Sequence, residues 1–169
     1  MKKGMMIAVT VAVVASLPFY GYMWNLMMHI FGAILFMGNI VVSAVWFSLA
    51  KRSRVADAIR FAARGVTVTD VFFTAPGAIL LLLNGGIIGK SWFKAGEIWI
   101  MVSVTMFIVT GILWLAVLVP VQKRMLRVAE SDPLSDEMGS LMSKWFRFGG
   151  VATMLSLAIL ILMVWKPQG

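Results

Sequence analysis

The sequence predicts an all-α membrane protein, a four-helix transmembrane bundle with an additional short N-terminal span. Of the 169 residues, 61% are hydrophobic and only 13% are charged, whereas soluble domains are about a quarter charged. Several apolar runs approach or exceed the roughly 20 residues that cross about 30 Å of hydrocarbon. The charges gather between these runs. We expect one integral membrane domain over residues 1–169.

Composition excludes several kinds of site. The chain has no cysteine, which removes disulfides, thiolate metal sites and iron–sulfur clusters. A single histidine, His29, excludes a two-histidine metal or haem site within one protomer. The basic residues that give the net charge of +8 flank the apolar spans. We therefore assign them to membrane topology and lipid contact and expect no nucleic acid as a partner. Expected partners are the lipid bilayer and either further copies of the chain or a larger membrane complex.

The apolar runs place the elements in order. An N-terminal span covers about 5–20, and the bundle, about 22–167, contains the spans 23–49, 66–84, 98–119 and 148–165. The first run has two interpretations. It is either a retained short span, with Pro18 and Gly21 forming the turn, or a secretory signal peptide. We favour the retained span.

Charge in the connections predicts the topology. The segments 51–65 and 121–147 are rich in Lys and Arg, whereas the short segment 85–97 is not. The positive-inside rule therefore places both basic loops in the cytoplasm and the C-terminus outside. Within the first loop, 55–64 has the pattern of a helix lying in the membrane interface. In the second loop, Ser131 or Ser135 is expected to cap the last helix.

Polar residues inside the spans form stripes at helical spacing. In the second span the stripe is His29, Gly32, Phe36, Asn39, Ser43 and Trp46, and in the third it is Thr67, Asp70, Thr74, Gly77, Leu81 and Asn84. Weaker stripes run through Trp99, Ser103, Met106, Thr110 and either Leu113 or Trp114, and through Gly149, Gly150, Thr153 and Ser156. Small and hydroxyl residues let membrane helices approach and form hydrogen bonds. We expect these faces to turn inward.

Asp70 is the only acidic residue inside a span. Ionisable groups in membrane helices are often functional, so a proton or cation site is one interpretation. The other is structural: Asp70 caps a helix that starts after Gly65, or it pairs with one of the basic residues Arg64, Arg124, Arg127 and Arg147. Both interpretations stay open.

His29 lies near the outer end of its span and also has two interpretations. It is a neutral histidine that donates to a neighbouring helix, or it is a ligand or proton relay. At about 1.5 Å per residue, His29 and Asp70 should be roughly 20 Å or more apart and cannot share a site. With Met23 and Met27, His29 offers a weak copper set, because thioethers suit Cu(I). Methionine is, however, also a common filler of apolar cores.

Three stretches carry a family resemblance: "LMMHIFGAILFMGN", "TVTDVFFTAPGAILLLLNG" and "GILWLAVLVPVQ". Over about 22–167 the chain resembles a bacterial family of predicted integral membrane proteins of unknown function. This resemblance implies a multi-pass protein of the bacterial inner membrane.

The region around His29 more distantly resembles HemJ-type protoporphyrinogen oxidases and CopD-type copper resistance proteins. The HemJ resemblance implies haem b with His29 as an axial ligand, and "SWFKAGEIW" places Lys94 close to a second key position. On that hypothesis Gly32 and Gly77 leave room for the macrocycle, and Trp99 or Phe36 packs on it.

Three functions follow as hypotheses. The first is a haem b protein with a redox or haem-related role, and the second is a copper-handling protein. The third is a non-catalytic subunit or anchor of a membrane complex, in which the polar stripes only hold the bundle together. Whether the chain is an enzyme stays open, although no nucleotide-binding loop or nucleophile triad is present.

Overall fold

The fold, taken from a computed structural model that describes residues 2–16 and 20–167, is helical throughout that part of the chain. The helices are α1 (Lys2–Ala15), α2 (Tyr22–Ser53), α3 (Ala56–Ile88), α4 (Lys90–Ala95), α5 (Ile98–Ser131) and α6 (Asp136–Trp165). The helices α2, α3, α5 and α6 are long and apolar enough to cross a membrane. The predicted fold class is therefore confirmed.

The four long helices exceed the bilayer in length. They have 30 to 34 residues each, which corresponds to about 45–50 Å against a hydrocarbon thickness of about 30 Å. Short connections make neighbours antiparallel, with α2 packed on α3 and α5 packed on α6. The loops at Arg54–Val55 and 132–135 lie at one end, which we call the basic end. Its basic residues include Lys51, Arg52, Arg54, Lys123, Arg124, Arg127 and Lys144.

The basic end has a core like that of a soluble bundle. Its buried cluster includes Phe47, Ile59, Ala62, Met125, Leu141, Met142 and Trp145. The segment 55–64, expected as a separate interfacial helix, instead forms the start of α3, so that prediction is wrong. Its apolar side is buried against α5, where Arg60 Nε donates to the Ala129 carbonyl at 3.0 Å. Packing against α5, rather than lipid, is what covers the apolar face.

The polar stripes turn inward as predicted. The buried polar residues include Asn39, Ser43, Asp70, Thr74, Asn84, Ser103, Thr110 and Ser156, while many Ile, Leu, Val and Met side chains cover the outside. Trp46 and Gly150 are exceptions, because both are exposed, and next to Trp46 it is Phe47 that takes the buried place. The predicted cap is also confirmed, since Ser135 Oγ accepts from the Met138 amide at the start of α6.

The N-terminal helix α1 packs along the second half of α3. Gly4 lies against the Phe72 ring, and at the other end Ser16 Oγ accepts a hydrogen bond from Asn84 Nδ2 at 2.7 Å. Its 14 residues measure about 21 Å, less than the hydrocarbon thickness. The helix ends at Ala15, not at residue 20, and the predicted turn residue Pro18 lies outside the described residues.

Two wide π-helical turns interrupt the long helices, at Asp70–Thr74 in α3 and at Trp114–Leu118 in α5. In both cases a proline, Pro76 or Pro120, follows six residues after the first residue of the turn. A proline has no N–H and clashes with the carbonyl one turn earlier. A π turn widens the helix at that place and relieves the clash. The two prolines thus explain why both helices are irregular at the same level.

Candidate binding site at Asp70

Asp70 is the first residue of the π turn in α3, and the residue is 9% exposed. Oδ1 accepts from Asn39 Nδ2 at 2.9 Å and from Thr74 Oγ1 at 2.7 Å. Oδ2 accepts from Gln122 Nε2 at 2.7 Å and from Trp114 Nε1 at 3.2 Å. Four neutral donors from three long helices therefore converge on one carboxylate. An ionised carboxylate has about four lone-pair positions and can therefore accept all four hydrogen bonds.

The predicted ion pairs of Asp70 are absent from the described residues. The ion pairs found there are Arg60–Asp57, Arg64–Glu130 and Arg124–Glu137, all at the basic end. Arginine at that end has partly exposed carboxylates nearby and does not reach the buried one. The capping alternative is also wrong, because the helix begins at Ala56 and Asp70 lies in its interior. The negative charge of Asp70 has no cation beside it.

A second layer of hydrogen bonds orients these donors. Asn39 Nδ2 also donates to Thr74 Oγ1 at 2.7 Å, and Ser43 Oγ donates to Asn39 Oδ1 at 3.3 Å. Ser43 further lies 3.4 Å from Thr69 Oγ1. The network ties α2 to α3 and fixes which amide atom of Asn39 faces Asp70. It is also where the two irregular turns meet, because Trp114 begins the π turn of α5.

A cavity of about 140 Å³ lies beside this network. Its polar lining includes Ser43, Asp70, Thr74, Thr110, Gln122 and Thr153, and its aromatic lining is Phe36, Trp114, Trp145 and Phe146. The indole Nε1–H of Trp145 is buried and meets no acceptor within the described chain. Buried donors are nearly always paired. A charged group and aromatic walls in one cavity are features of a ligand site.

A larger open depression lies at the basic end. It is lined by Arg124, Arg127, Val128, Ser131 and Glu137. Arg124 is already paired with Glu137 at 2.7 Å. It is an exposed charged surface, and nothing in it matches the buried chemistry at Asp70.

His29 contacts α3 near the opposite end of the bundle. Its Nδ1 lies 3.0 Å from the Leu81 carbonyl, so Nδ1 carries the proton and donates. The ring packs on Gly85, where an added Cβ would lie 2.8 Å from Cε1. No partner in the described residues meets Nε2, which keeps its lone pair. The interpretation of a histidine that donates to a neighbouring helix is confirmed, and the ligand role stays a prediction.

His29 and Asp70 belong to separate sites. Asn39, the partner of Asp70 on α2, lies ten residues after His29, and Leu81 lies eleven residues after Asp70 on α3. Each separation corresponds to about 15 Å along the helix axis. The predicted separation of roughly 20 Å or more is therefore too long, but His29 and Asp70 have no hydrogen-bond partner in common among the described residues, in line with the expectation that they do not share a site.

The two glycines expected to leave room for a macrocycle do not do so. An added Cβ on Gly32 would lie 2.9 Å from the Gly77 carbonyl, and one on Gly77 would lie 2.9 Å from the Gly32 carbonyl. The backbones of α2 and α3 therefore touch, and the space is filled. This is the close approach that small residues permit between membrane helices. The expectation of haem room at these positions is wrong.

The other residues of the predicted haem set are dispersed. Phe36 packs on Phe107 and lines the cavity at Asp70. Trp99 packs on Trp92, and Lys94 is exposed in α4. Only His29 has a geometry that suits ligation, namely one nitrogen anchored and the other free.

The predicted copper set is not assembled either. Met23 and Met27 are exposed, whereas His29 faces α3. Met27 and His29 are two positions apart, about 200° around the helix, so their side chains diverge. Within the described residues no three His, Asp or Glu side chains are placed to hold a metal ion.

Two partners of Asp70 were not assigned from the sequence. Hydropathy ends the fourth span at 119 and so predicts Gln122 in the basic loop, and the spacing that puts Trp114 on a stripe does not identify its partner. Pro120 is the sequence feature that indicates these partners. The π turn before this proline brings Trp114 and Gln122 to the same face of α5.

The search for similar proteins found no match among curated proteins and none among solved structures. A family of predicted integral membrane proteins, DUF2269, matches residues 25–167, which include Asp70 and its partners. That range covers all four long helices almost entirely. The chain is an integral membrane protein and belongs to the DUF2269 family.

Proposed function

We propose that this chain is a membrane-embedded binding protein whose ligand site is the cavity beside Asp70. One observation carries the proposal. Two π turns, on α3 and α5, meet at a buried carboxylate that has four neutral donors, no cation and an adjoining cavity. Such turns frequently mark functional positions.

The negative charge of Asp70 favours a ligand-binding function over that of a purely structural anchor. Hydroxyl and amide groups suffice to join membrane helices, at about 0.6–2 kcal/mol per contact. Asn84 Nδ2 already does this by donating to Ser16 Oγ between α3 and α1, and Ser43 Oγ lies 3.4 Å from Thr69 Oγ1 between α2 and α3. An ionised carboxylate in a membrane bundle is expensive and adds nothing that an amide seam needs. Binding of a ligand by the negative charge would explain why position 70 is Asp.

A thiol-accessibility experiment tests the site. The chain has no cysteine, so a single introduced thiol reports on one position. Thr153→Cys places it in the cavity lining, and Ser156→Cys places it one turn further along α6, where it is buried outside the cavity. We expect the neutral reagent methyl methanethiosulfonate to modify the first variant and not the second in detergent or liposomes. Equal rates, or no modification of the first, would contradict the proposal.

We also propose that the basic end faces the cytoplasm of a bacterial inner membrane, with the C-terminus outside. The basic loops support this orientation through the positive-inside rule. Arg54→Cys lies in one loop and Lys94→Cys in the opposite one, and both positions are exposed. In intact spheroplasts a membrane-impermeant maleimide should label only the second. Labelling of the first without permeabilisation would reverse the topology.

A second candidate function is haem b binding through His29. The observation that favours it is the anchored ring, whose Nδ1 donates to Leu81 and whose Nε2 is free. Haem would supply redox chemistry, and the chain would hold its iron through Nε2. Purified protein from haem-replete cells should then show a Soret band that His29→Ala removes. A colourless protein would exclude this candidate and leave the Asp70 proposal untouched.

A further inference from the structure

We infer that the cavity at Asp70 takes a small organic cation, a quaternary ammonium group with short apolar substituents. The inference rests on the proposed function and names the ligand class of that same site.

The charge balance of the cavity favours a cation. Its lining contains the Asp70 carboxylate and no Lys, Arg or His side chain. All four groups bonded to Asp70 are neutral, so its charge is spread but not cancelled. A concave site with low-dielectric walls focuses such a potential. Cations are therefore attracted to this cavity and anions are repelled.

The hydrogen bonds already made by the Asp70 carboxylate disfavour a metal ion as the ligand. Sodium, magnesium and calcium need several oxygen ligands to replace their hydration shells. The lone pairs of Asp70 already accept four hydrogen bonds. A quaternary ammonium ion has no N–H group to satisfy, spreads its charge over its substituents and binds without direct coordination by oxygen. The carboxylate therefore attracts a cation to the cavity but has no lone pair left to bind a metal ion directly.

The walls suit the apolar part of such an ion. Phe36, Trp114 and Trp145 line the cavity, and aromatic faces attract ammonium groups, tryptophan most strongly. Phe146 already has the Lys51 ammonium 5.8 Å from its centroid, which leaves the other three rings for the ligand.

The volume limits the ligand to a few heavy atoms. The cavity measures about 140 Å³, while water occupies about 30 Å³ in the liquid and drug-sized ligands fill roughly 300–1,000 Å³. Tetramethylammonium and choline are probes of the right size and charge.

Charged thiol reagents test the ligand class on Thr153→Cys in the full-length protein. The rates for 2-aminoethyl and 2-(trimethylammonio)ethyl methanethiosulfonate are compared with that for the 2-sulfonatoethyl reagent, each divided by its rate with a free thiol. We expect a cation preference of about tenfold or more, as electrostatic focusing gives. Asp70→Asn should remove the preference and Asp70→Glu should keep it. The matched control is Asp57→Asn, an exposed carboxylate on the same helix, which should leave it unchanged.

The outcomes separate the two proposals. Equal normalised rates for cationic and anionic reagents would overturn the cation inference while leaving an accessible site. No reaction with any reagent would overturn both. Circular dichroism and gel filtration show whether each Asp70 variant is folded, and the Asp70→Glu variant keeps the test decisive if the Asn variant is not. A preference that survives in a folded Asp70→Asn protein would also overturn the inference.

Discussion

At the scale of single residues, the molecule separates contacts that hold helices together from a charge that does not need to be there for packing. Gly32 and Gly77 bring the backbones of α2 and α3 together. Asp70 instead collects four donors and leaves a net negative charge next to a cavity. Substitutions at the glycines should therefore change the stability of the bundle, whereas substitutions at Asp70 should change the binding of cations.

Replacing Gly32 by alanine should destabilise the bundle. The new Cβ would lie 2.8 Å from Leu80 Cβ and 2.9 Å from the Gly77 carbonyl, so the helix backbones must move apart. Overpacking of this kind costs about 1–3 kcal/mol. Gly38→Ala on the same helix is the control, because an added Cβ there meets nothing within 4 Å. Unfolding in mixed detergent micelles measures both, and equal stability of the two variants would contradict the close contact.

The sequence predicted which residues face inward but not how they pair. Spacing alone places Asn39, Asp70 and Thr74 on interior stripes, and the structure joins them by hydrogen bonds. The choice of Gln122 over an arginine as the partner of Asp70 depends on where α5 lies relative to α3. A hydropathy window cannot supply that, because it averages over residues on all sides of a helix.

At the scale of elements, the two π turns set the register of the polar site. Each turn contains an extra residue, which rotates the helix beyond it by about 100° relative to a regular α-helix. Asp70 and Trp114 stand at the first positions of these turns. Their meeting therefore depends on both irregularities, and on Pro76 and Pro120 that follow.

Pro76→Ala should weaken the site without unwinding α3. Alanine restores an N–H able to reach the Phe72 carbonyl, so the wide turn can close into a regular one and turn Asp70 away from α5. Loss of one hydrogen bond to a charged group corresponds to about 1.5–3 kcal/mol. The midpoint temperature of unfolding and the cation preference measured at Thr153→Cys should both fall. Helix content, measured by circular dichroism, should not change. Pro167→Ala, exposed beyond α6, should change neither, and an unaltered Pro76→Ala protein would refute the role given to the proline.

The span boundaries show what hydropathy misses at this scale. It ended the fourth span at 119 and began the third at 66, whereas α5 continues to Ser131 and α3 begins at Ala56. The additional turns are amphipathic and bury their apolar side against each other. Their charged outer faces lower the average hydropathy, so they look like loops in the sequence.

At the scale of the whole molecule, the bundle has two environments. Its apolar exterior along the middle of the long helices suits lipid, and the basic end has a buried core surrounded by charged residues. Only the second resembles a water-soluble bundle, in which packing inside and polarity outside provide the stability.

A pair of methionine variants distinguishes these environments. Met125 is 0% exposed in the core of the basic end, and Met154 is 64% exposed on the outside of α6. Met125→Ala leaves a cavity and should cost about 2–5 kcal/mol. Met154→Ala removes only outward contacts and should stay within about 0.5 kcal/mol. Thermal unfolding in one detergent compares them, and similar losses for both variants would contradict this division of the bundle.

Whether the charge of Asp70 creates a cation site inside the bundle can be measured by equilibrium binding of radiolabelled tetramethylammonium to the purified full-length protein. We expect saturable binding to one site per chain, which Asp57→Asn retains and Asp70→Asn abolishes. Binding of the same strength to a folded Asp70→Asn protein, or no saturable binding to the unaltered chain, would contradict this expectation.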